Sequence, residues 1–269
     1  LSEKFNTMNF QTDELVNVFE RVITGEIDAG IAPNELSEDY SSKVVERFHK
    51  SKFKKERLDG VPGYEIGSTQ YGKSGTEYMS NASQTQAEIQ RIYGYYDGEI
   101  PVILRRIAFR LERSGIVVRP AMYKGEPAPQ GRAVVWKLKD NEDSYLLKPH
   151  DDYEQTQQYE DWELSDVTKV VALNFYMSSS PTSGQLVVSN WRPTNLDRRQ
   201  RGLKGTGYPY SDEDFQTRPH TIIPMETGSV AVIDGSLVHG VAVGDGNIEG
   251  RLLINIFFGV IENTVIYWA

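Results

Sequence analysis

The residues best placed to do chemistry lie in the stretch Lys148-Pro149-His150-Asp151-Asp152-Tyr153. His150 and Asp152 stand two apart, and on an extended strand residues i and i+2 point to the same face. An imidazole and a carboxylate spaced this way can close on one metal ion. His239, from a distant strand, would complete a set of two histidines and one carboxylate, which leaves open positions on an Fe(II) ion for co-substrate and oxygen. The same ligands would also serve a catalytic zinc. Twelve residues after His239, Arg251 offers a guanidinium that can grip a carboxylate in a bidentate pair.

Composition narrows what else is available. The chain has 269 residues and no cysteine, which removes disulfides, thiolate metal sites, iron–sulfur clusters and cysteine nucleophiles together. Four histidines remain: His49, His150, His220 and His239. His49 closes a lysine-rich helix end and reads as a surface residue. His220 lies in a polar loop without a carboxylate two positions away, and is the reserve ligand. Asp151 should point away from the face shared by His150 and Asp152. A formal charge of −9 argues against binding a nucleic-acid polymer. No apolar run is long enough to span a bilayer and no signal-peptide pattern opens the sequence, so a cytoplasmic location is the expectation. Oligomeric state stays open.

The elements that must position these residues fall into two textures. Residues 1–115 read as mainly helical. Leu15, Val18, Phe19, Val22 and Ile23 repeat at helical spacing behind Thr12-Asp13-Glu14, and Pro33-Asn34 opens a second helix carrying Leu36, Tyr40, Val44, Val45 and Phe48. Residues 50–82 carry no firm assignment and suit either a loop over a site or irregular surface. Helical periodicity returns over 84–95 and 101–114, ending at Gly115. From residue 116 short β-type runs follow at 116–118, 133–138, 145–147, 169–177, 185–188, 229–233, 237–243 and 252–258, divided by turn residues. About eight strands in two packed sheets make an α+β protein. Its 116–269 core would be a jelly-roll or cupin-like double-stranded β-helix, buttressed by the N-terminal helices as one structural unit. Strand pleat sorts the faces. Val171, Leu173 and Phe175 should pack on the helices, whereas Ala172, Asn174 and Tyr176 should line a cavity. Likewise Leu253, Asn255 and Phe257 oppose Leu252, Ile254 and Ile256. A polar side chain inside a strand must be hydrogen-bonded, so Asn174 is either a ligand contact or a structural bond.

The box from Lys148 to Tyr153, the Gly184-x-Leu186 turn, the Pro224-x-x-x-Gly228 approach, His239 and Arg251 together resemble the 2-oxoglutarate/Fe(II)-dependent oxygenase superfamily. The box itself is similar to that of prolyl-4-hydroxylase-type members. Along most of its length the chain more closely resembles the welwitindolinone-type, carrier-protein-independent halogenases, through Ser183-Gly184-Gln185-Leu186-Val187-Val188, the His239-to-Arg251 spacing and the closing Ile266-Tyr267-Trp268. The resemblance implies His150, Asp152 and His239 as iron ligands and Arg251 as the clamp on 2-oxoglutarate, with Asn174 and Tyr145 as weaker candidates around the co-substrate. It also implies Fe(II), 2-oxoglutarate and O2 as cofactor and co-substrates. Those halogenases carry glycine where this chain has Asp152, and the gap admits chloride. A carboxylate there implies a hydroxylase of small molecules on a halogenase-like scaffold. Desaturation or ring closure at the same iron, or a cupin-like binding module without turnover, are the alternatives.

Substrate signals are fewer. The 190–219 segment is long for a turn and holds Arg192, Arg198, Arg199, Arg201, Lys204 and Arg218. It reads either as a lid for a substrate carboxylate or phosphate, or as a solvated charged loop. Tyr153, Ala172, Trp191 and Arg192 are the candidate substrate contacts, with Tyr71, Tyr78 and Tyr208 as possible walls.

Overall fold

The computed structural model describes residues 10–57, 61–136, 144–179, 184–243 and 251–269. In chain order the N-terminal part comprises β1 (Phe10–Thr12), α1 (Leu15–Thr24), β2 (Ala29–Ala32), α2 (Glu38–Lys50), β3 (Lys55–Glu56), β4 (Gly63–Ile66), α3 (Gly75–Ser83), α4 (Gln86–Tyr93) and α5 (Glu99–Arg113). Next come β5 (Val117–Pro120), β6 (Met122–Tyr123), β7 (Glu126–Pro127), β8 (Arg132–Trp136), β9 (Tyr145–His150), α6 (Asp152–Thr156) and β10 (Lys169–Ser178). The last third holds β11 (Leu186–Ser189), α7 (Asn195–Gln200), α8 (Asp212–Gln216), β12 (His220–Ile223), β13 (Val230–Asp234), β14 (His239–Ala242), β15 (Leu252–Ile261) and β16 (Thr264–Trp268).

These strands build two principal sheets. The larger runs β1-β2-β13-β10-β15-β8-β4-β3, with β16 and β5 attached beside β15; the smaller runs β12-β11-β14-β9. An apolar layer between them includes Val134, Trp136, Leu186, Val188, Val241 and Leu253. This is a double-sheet jelly roll. Its strand pleat follows the expected faces. Val171, Leu173, Phe175, Ile254 and Ile256 join the helical layer, where Leu15, Val18, Phe19 and Val22 of α1 and Val44 and Phe48 of α2 cover them. Phe19 meets Phe258 edge-on at 4.8 Å between centroids.

Several boundaries differ from those read in sequence. The second helix starts beyond Asn34, which sits in a left-handed turn with φ of 53°. Ser37 caps it, its hydroxyl accepting from the Tyr40 N–H. The unassigned 50–82 stretch contains β3, β4 and the helix α3, which Ser74 and Glu77 cap reciprocally. The first 115 residues are therefore not only a helical buttress. β2 pairs with β13, and β4 with β8, so N-terminal strands extend the larger sheet on both sides. Such short strands lack a period long enough to stand out from loop sequence. The 190–219 segment folds around α7 and α8. Residues 137–138 of an expected strand, and Ser183 of the quoted motif, lie outside the described residues.

Phe19 is 1% exposed. Phe19→Ala should keep the fold and lower unfolding free energy by about 3–5 kcal/mol in urea denaturation, the usual result of emptying a packed aromatic site.

Candidate metal centre and its two cavities

The smaller sheet brings the histidines together. His150 ends β9, His239 begins β14, and they are direct partners in the antiparallel ladder. Their rings lie 4.3 Å apart. Each Nδ1 is within hydrogen-bond reach of the backbone carbonyl two residues earlier: Lys148 at 2.9 Å for His150, and Leu237 at 2.8 Å for His239. That contact sets the donating tautomer at Nδ1 and leaves Nε2 as the ligand atom on both rings.

Asp152 arrives differently from the strand geometry expected of it. The strand stops at His150, and Asp151 caps α6 by accepting the Glu154 N–H at 2.8 Å. Asp152 is thus the first residue of a short helix. Its backbone N–H donates to the Gly235 carbonyl at 2.8 Å. The carboxylate then lies 3.6 Å from His150 Nε2 and 3.3 Å from His239 Nε2. The three ligand atoms fall within 4.8 Å of one another, and all three residues are buried. Burial, with the neighbouring His239, pushes His150 down to about 4. Burial also opposes charge on His239, but the Asp152 carboxylate outweighs it and holds that imidazole above its ordinary value. The two histidines in turn overcome the desolvation of Asp152 and lower its pKa. The Asp152 carboxylate thus favours the charged form of the His239 imidazole.

Asp151 faces away from the histidines, as expected, but because it caps the helix and not through strand alternation. It is fully buried against Arg198 and Tyr210, whose hydroxyl donates to its carboxylate at 2.7 Å.

Two cavities meet at this centre. The inner one lies between the sheets and is lined by Val134, Trp136, Ala172, Asn174, Tyr176, Leu186, Leu253, Asn255 and Arg251. Arg251 is 2% exposed, its guanidinium held between the rings of Trp136 at 4.5 Å and Tyr176 at 5.4 Å. Nη2 reaches the Tyr176 hydroxyl at 3.5 Å, and Nε and Nη1 have no hydrogen-bond partner among the described residues. Desolvation lowers the Arg251 pKa. Gly184 makes this placement possible: its φ is +67°, and a Cβ there would lie 2.7 Å from Arg251 Cδ. The outer cavity shares Arg132, Leu147, His150, Asp152 and Phe257 and adds Arg57, Val61, Thr69, Tyr71, Gln155 and Tyr208.

The other site residues read from sequence divide clearly. Ala172 and Asn174 line the inner cavity. Asn174 accepts from Asn255 Nδ2 at 2.9 Å, and Asn255 accepts from Arg132 Nε at 3.3 Å, so its hydrogen bond is to protein. Tyr145, expected near the co-substrate, packs edge-on against Phe215 and lines neither cavity. It starts β9, whereas His150 ends it. Tyr176 stands by Arg251 instead, on the cavity face that the pleat had indicated. Three expected substrate contacts are also elsewhere. Tyr153 packs under Arg198. Trp191 is buried against Tyr210, with Arg218 over its ring at 3.9 Å. Arg192 pairs with Asp28 and Asp234. The basic segment turns several of its cations onto protein carboxylates: Arg201 binds Asp214, while Arg198 and Lys204 bind Glu154. It contributes Tyr208, which meets Tyr71 edge-on at 5.6 Å in the outer cavity. Tyr78 is buried in the core, and His49 and His220 are exposed away from the centre. Arg132 and Trp136 were missed, although they share one face of a short apolar strand.

No family model matches the sequence. The chain is 25% identical over 212 residues to L-isoleucine 3(1)-dioxygenase from Pantoea ananatis, covering 76% of this chain and 70% of that protein. Among solved structures, an N-substituted L-amino acid dioxygenase from Burkholderia ambifaria superposes with a TM-score of 0.60 at 12% identity, covering 95% of this chain and 91% of the other. HygX from Streptomyces hygroscopicus, with nickel and 2-oxoglutarate bound, gives 0.52 at 15% identity, covering 89% and 86%. These structural likenesses establish a shared fold.

The centre should take up one Co(II) or Ni(II) per chain by metal analysis after dialysis. His239→Ala should weaken that binding by more than the roughly 10–100-fold typical of losing an outer-sphere partner. Because His239 must lose its proton to ligate, affinity should rise from about pH 6 to about pH 8, as read by competition titration.

Proposed function

We propose that the protein is a non-haem Fe(II)/2-oxoglutarate-dependent dioxygenase that hydroxylates an unactivated C–H bond of a small molecule. The observation that carries this reading is Arg251. A buried cation whose Nε and Nη1 have no hydrogen-bond partner among the described residues lines the same cavity as the His150, Asp152 and His239 cluster. A dicarboxylate such as 2-oxoglutarate can pair with Arg251 through one carboxylate and present its other end to the metal-ligand cluster in the same cavity.

The donor set fits Fe(II): two neutral imidazole nitrogens and one carboxylate on one side of the ion. His150, Asp152 and His239 would hold the metal, and Arg251 would pair with the distal carboxylate of 2-oxoglutarate, with the Tyr176 hydroxyl beside it. When bound, iron supplies the oxygen chemistry, in which O2 and 2-oxoglutarate are consumed, CO2 and succinate leave, and one oxygen atom enters the C–H bond. The chain does the positioning. The backbone carbonyls of Lys148 and Leu237 orient the imidazoles, and Trp136, Leu186 and Leu253 keep water from the co-substrate stem. Asp152 occupies the position where the resembling halogenases have glycine, which favours hydroxylation over halide transfer. The outer cavity, walled by Tyr71, Tyr208 and Phe257 with Arg57 and Arg132, is where a substrate would meet the metal. The amino-acid dioxygenase names of the relatives support a small amino-acid or natural-product substrate.

Anaerobic Fe(II) with 2-oxoglutarate should give a weak visible charge-transfer band, and air should then release succinate. Absence of both would sink the oxygenase reading. Arg251→Met should raise the 2-oxoglutarate KM at least about tenfold, since hydrogen bonds to a charged group contribute about 1.5–3 kcal/mol each. Asp152→Gly should abolish hydroxylation; a product lacking two hydrogens, rather than gaining an oxygen, would redirect the wild-type assignment to desaturation or ring closure.

A further inference from the structure

Asp152 is the one ligand that no sheet ladder holds, and the turn that carries it is gripped by a segment far along the chain. Arg198, 4% exposed, makes a bidentate pair with the fully buried Asp151: Nη2 to Oδ1 at 3.1 Å and Nε to Oδ2 at 3.3 Å. Tyr210 adds its hydroxyl to Asp151 at 2.7 Å, and its backbone N–H donates to the Pro149 carbonyl at 2.8 Å. The Asp151 N–H returns a bond to the Gly207 carbonyl at 2.9 Å. Glu154, in the first turn of α6, accepts the Gly205 N–H at 2.7 Å and pairs with Lys204 at 3.2 Å. The approach is close enough that a Cβ on Gly207 would lie 2.5 Å from the Asp151 carbonyl oxygen. On the opposite side the Gly235 carbonyl takes the N–H groups of Asp152 and Tyr153, at 2.8 and 3.1 Å. The carboxylate ligand is thus fixed between two independent supports. Tyr208 lies between Gly207 and Tyr210, and its ring centroid is 6.1 Å from that of His150 in the outer cavity.

We propose that Arg198, acting through Asp151, is a positioning residue for the ligand Asp152. The same clamp sets Tyr208 at the outer cavity, so that metal geometry and the substrate entrance are coupled. This rests on Asp152 being a metal ligand, as proposed above. It assigns the basic segment a role directed inward, toward the protein's own carboxylates. Arg suits the task because its planar fork fixes the orientation of the carboxylate it binds, which a lysine cannot do.

The test uses the full chain loaded with Co(II), whose visible spectrum reports ligand geometry without turnover or 2-oxoglutarate. Three variants are compared: Tyr210→Phe, Arg198→Lys, and the double variant Arg198→Met with Asp151→Asn, which neutralises residue 151 together with its partner and leaves Glu154 paired with Lys204. Folded protein should keep one Co(II) but show an altered visible band, with affinity weakened roughly 10–100-fold in the double variant, as for loss of an outer-sphere partner. Tyr210→Phe should lose several-fold, and Arg198→Lys should recover part of the loss relative to the double variant. Folded variants with wild-type Co(II) spectra and affinities would overturn the proposal and leave the cluster a structural ion pair. Wild-type protein that takes up no Co(II) would overturn the metal centre itself and the clamp with it.

Discussion

The ladder between β9 and β14 is the constraint on which the site depends. His150 and His239 are partners in that ladder, and side chains alternate across a strand with a period of two. A slip of one residue would turn one imidazole out of the cavity and remove the pairing of ring with ring. The register is held where Leu147 and Val241, the next partners along the ladder beyond a one-residue register shift, meet in the apolar layer between the sheets. Apolar burial thereby sets the distance between the two imidazoles proposed as metal ligands.

The second organising feature is the handling of charge in a dry interior. Three buried ionisable side chains are handled in different ways. Asp152 is balanced by the histidines, and Asp151 by Arg198 and Tyr210. Arg251 has no carboxylate partner among the described residues. It rests between Trp136 and Tyr176, whose ring faces attract a cation but cannot accept its N–H groups in the plane. A guanidinium held so costs stability, and under the proposed function it is pre-organised for the carboxylate of 2-oxoglutarate. The same logic explains why Asn174 and Asn255 bond to each other: two polar groups on facing positions of neighbouring strands satisfy one another.

Helices and strands of the larger sheet provide the rigidity behind this. The helical layer covers the outer face of β10 and β15, so the inner face of the same strands can carry small and polar groups without losing the core. Neighbouring positions on one strand therefore answer to different requirements, stability on one side and ligand space on the other.

The sequence by itself determined the helical N-terminal region, most long strands, and which face of β10 and β15 looks into the cavity. It did so because amphipathic periods of 3.6 and 2 are local properties, written in consecutive residues such as Val171, Ala172, Leu173 and Asn174. It also singled out His150, Asp152, His239 and Arg251, since few residue types bind metals or carboxylates and this chain has only four histidines. The tertiary structure decided the rest. That Asp152 opens a helix rather than ending a strand follows from Asp151 acting as a cap, a choice stabilised by Arg198 from another part of the chain. Whether the cations of 190–219 faced solvent, substrate or protein depended on carboxylates at 151, 154 and 214 being brought within reach. Tyr176, not Tyr145, stands beside Arg251 for the same reason. Contacts between residues distant in sequence have no local period to announce them, and only the packing of the two sheets sets who meets whom.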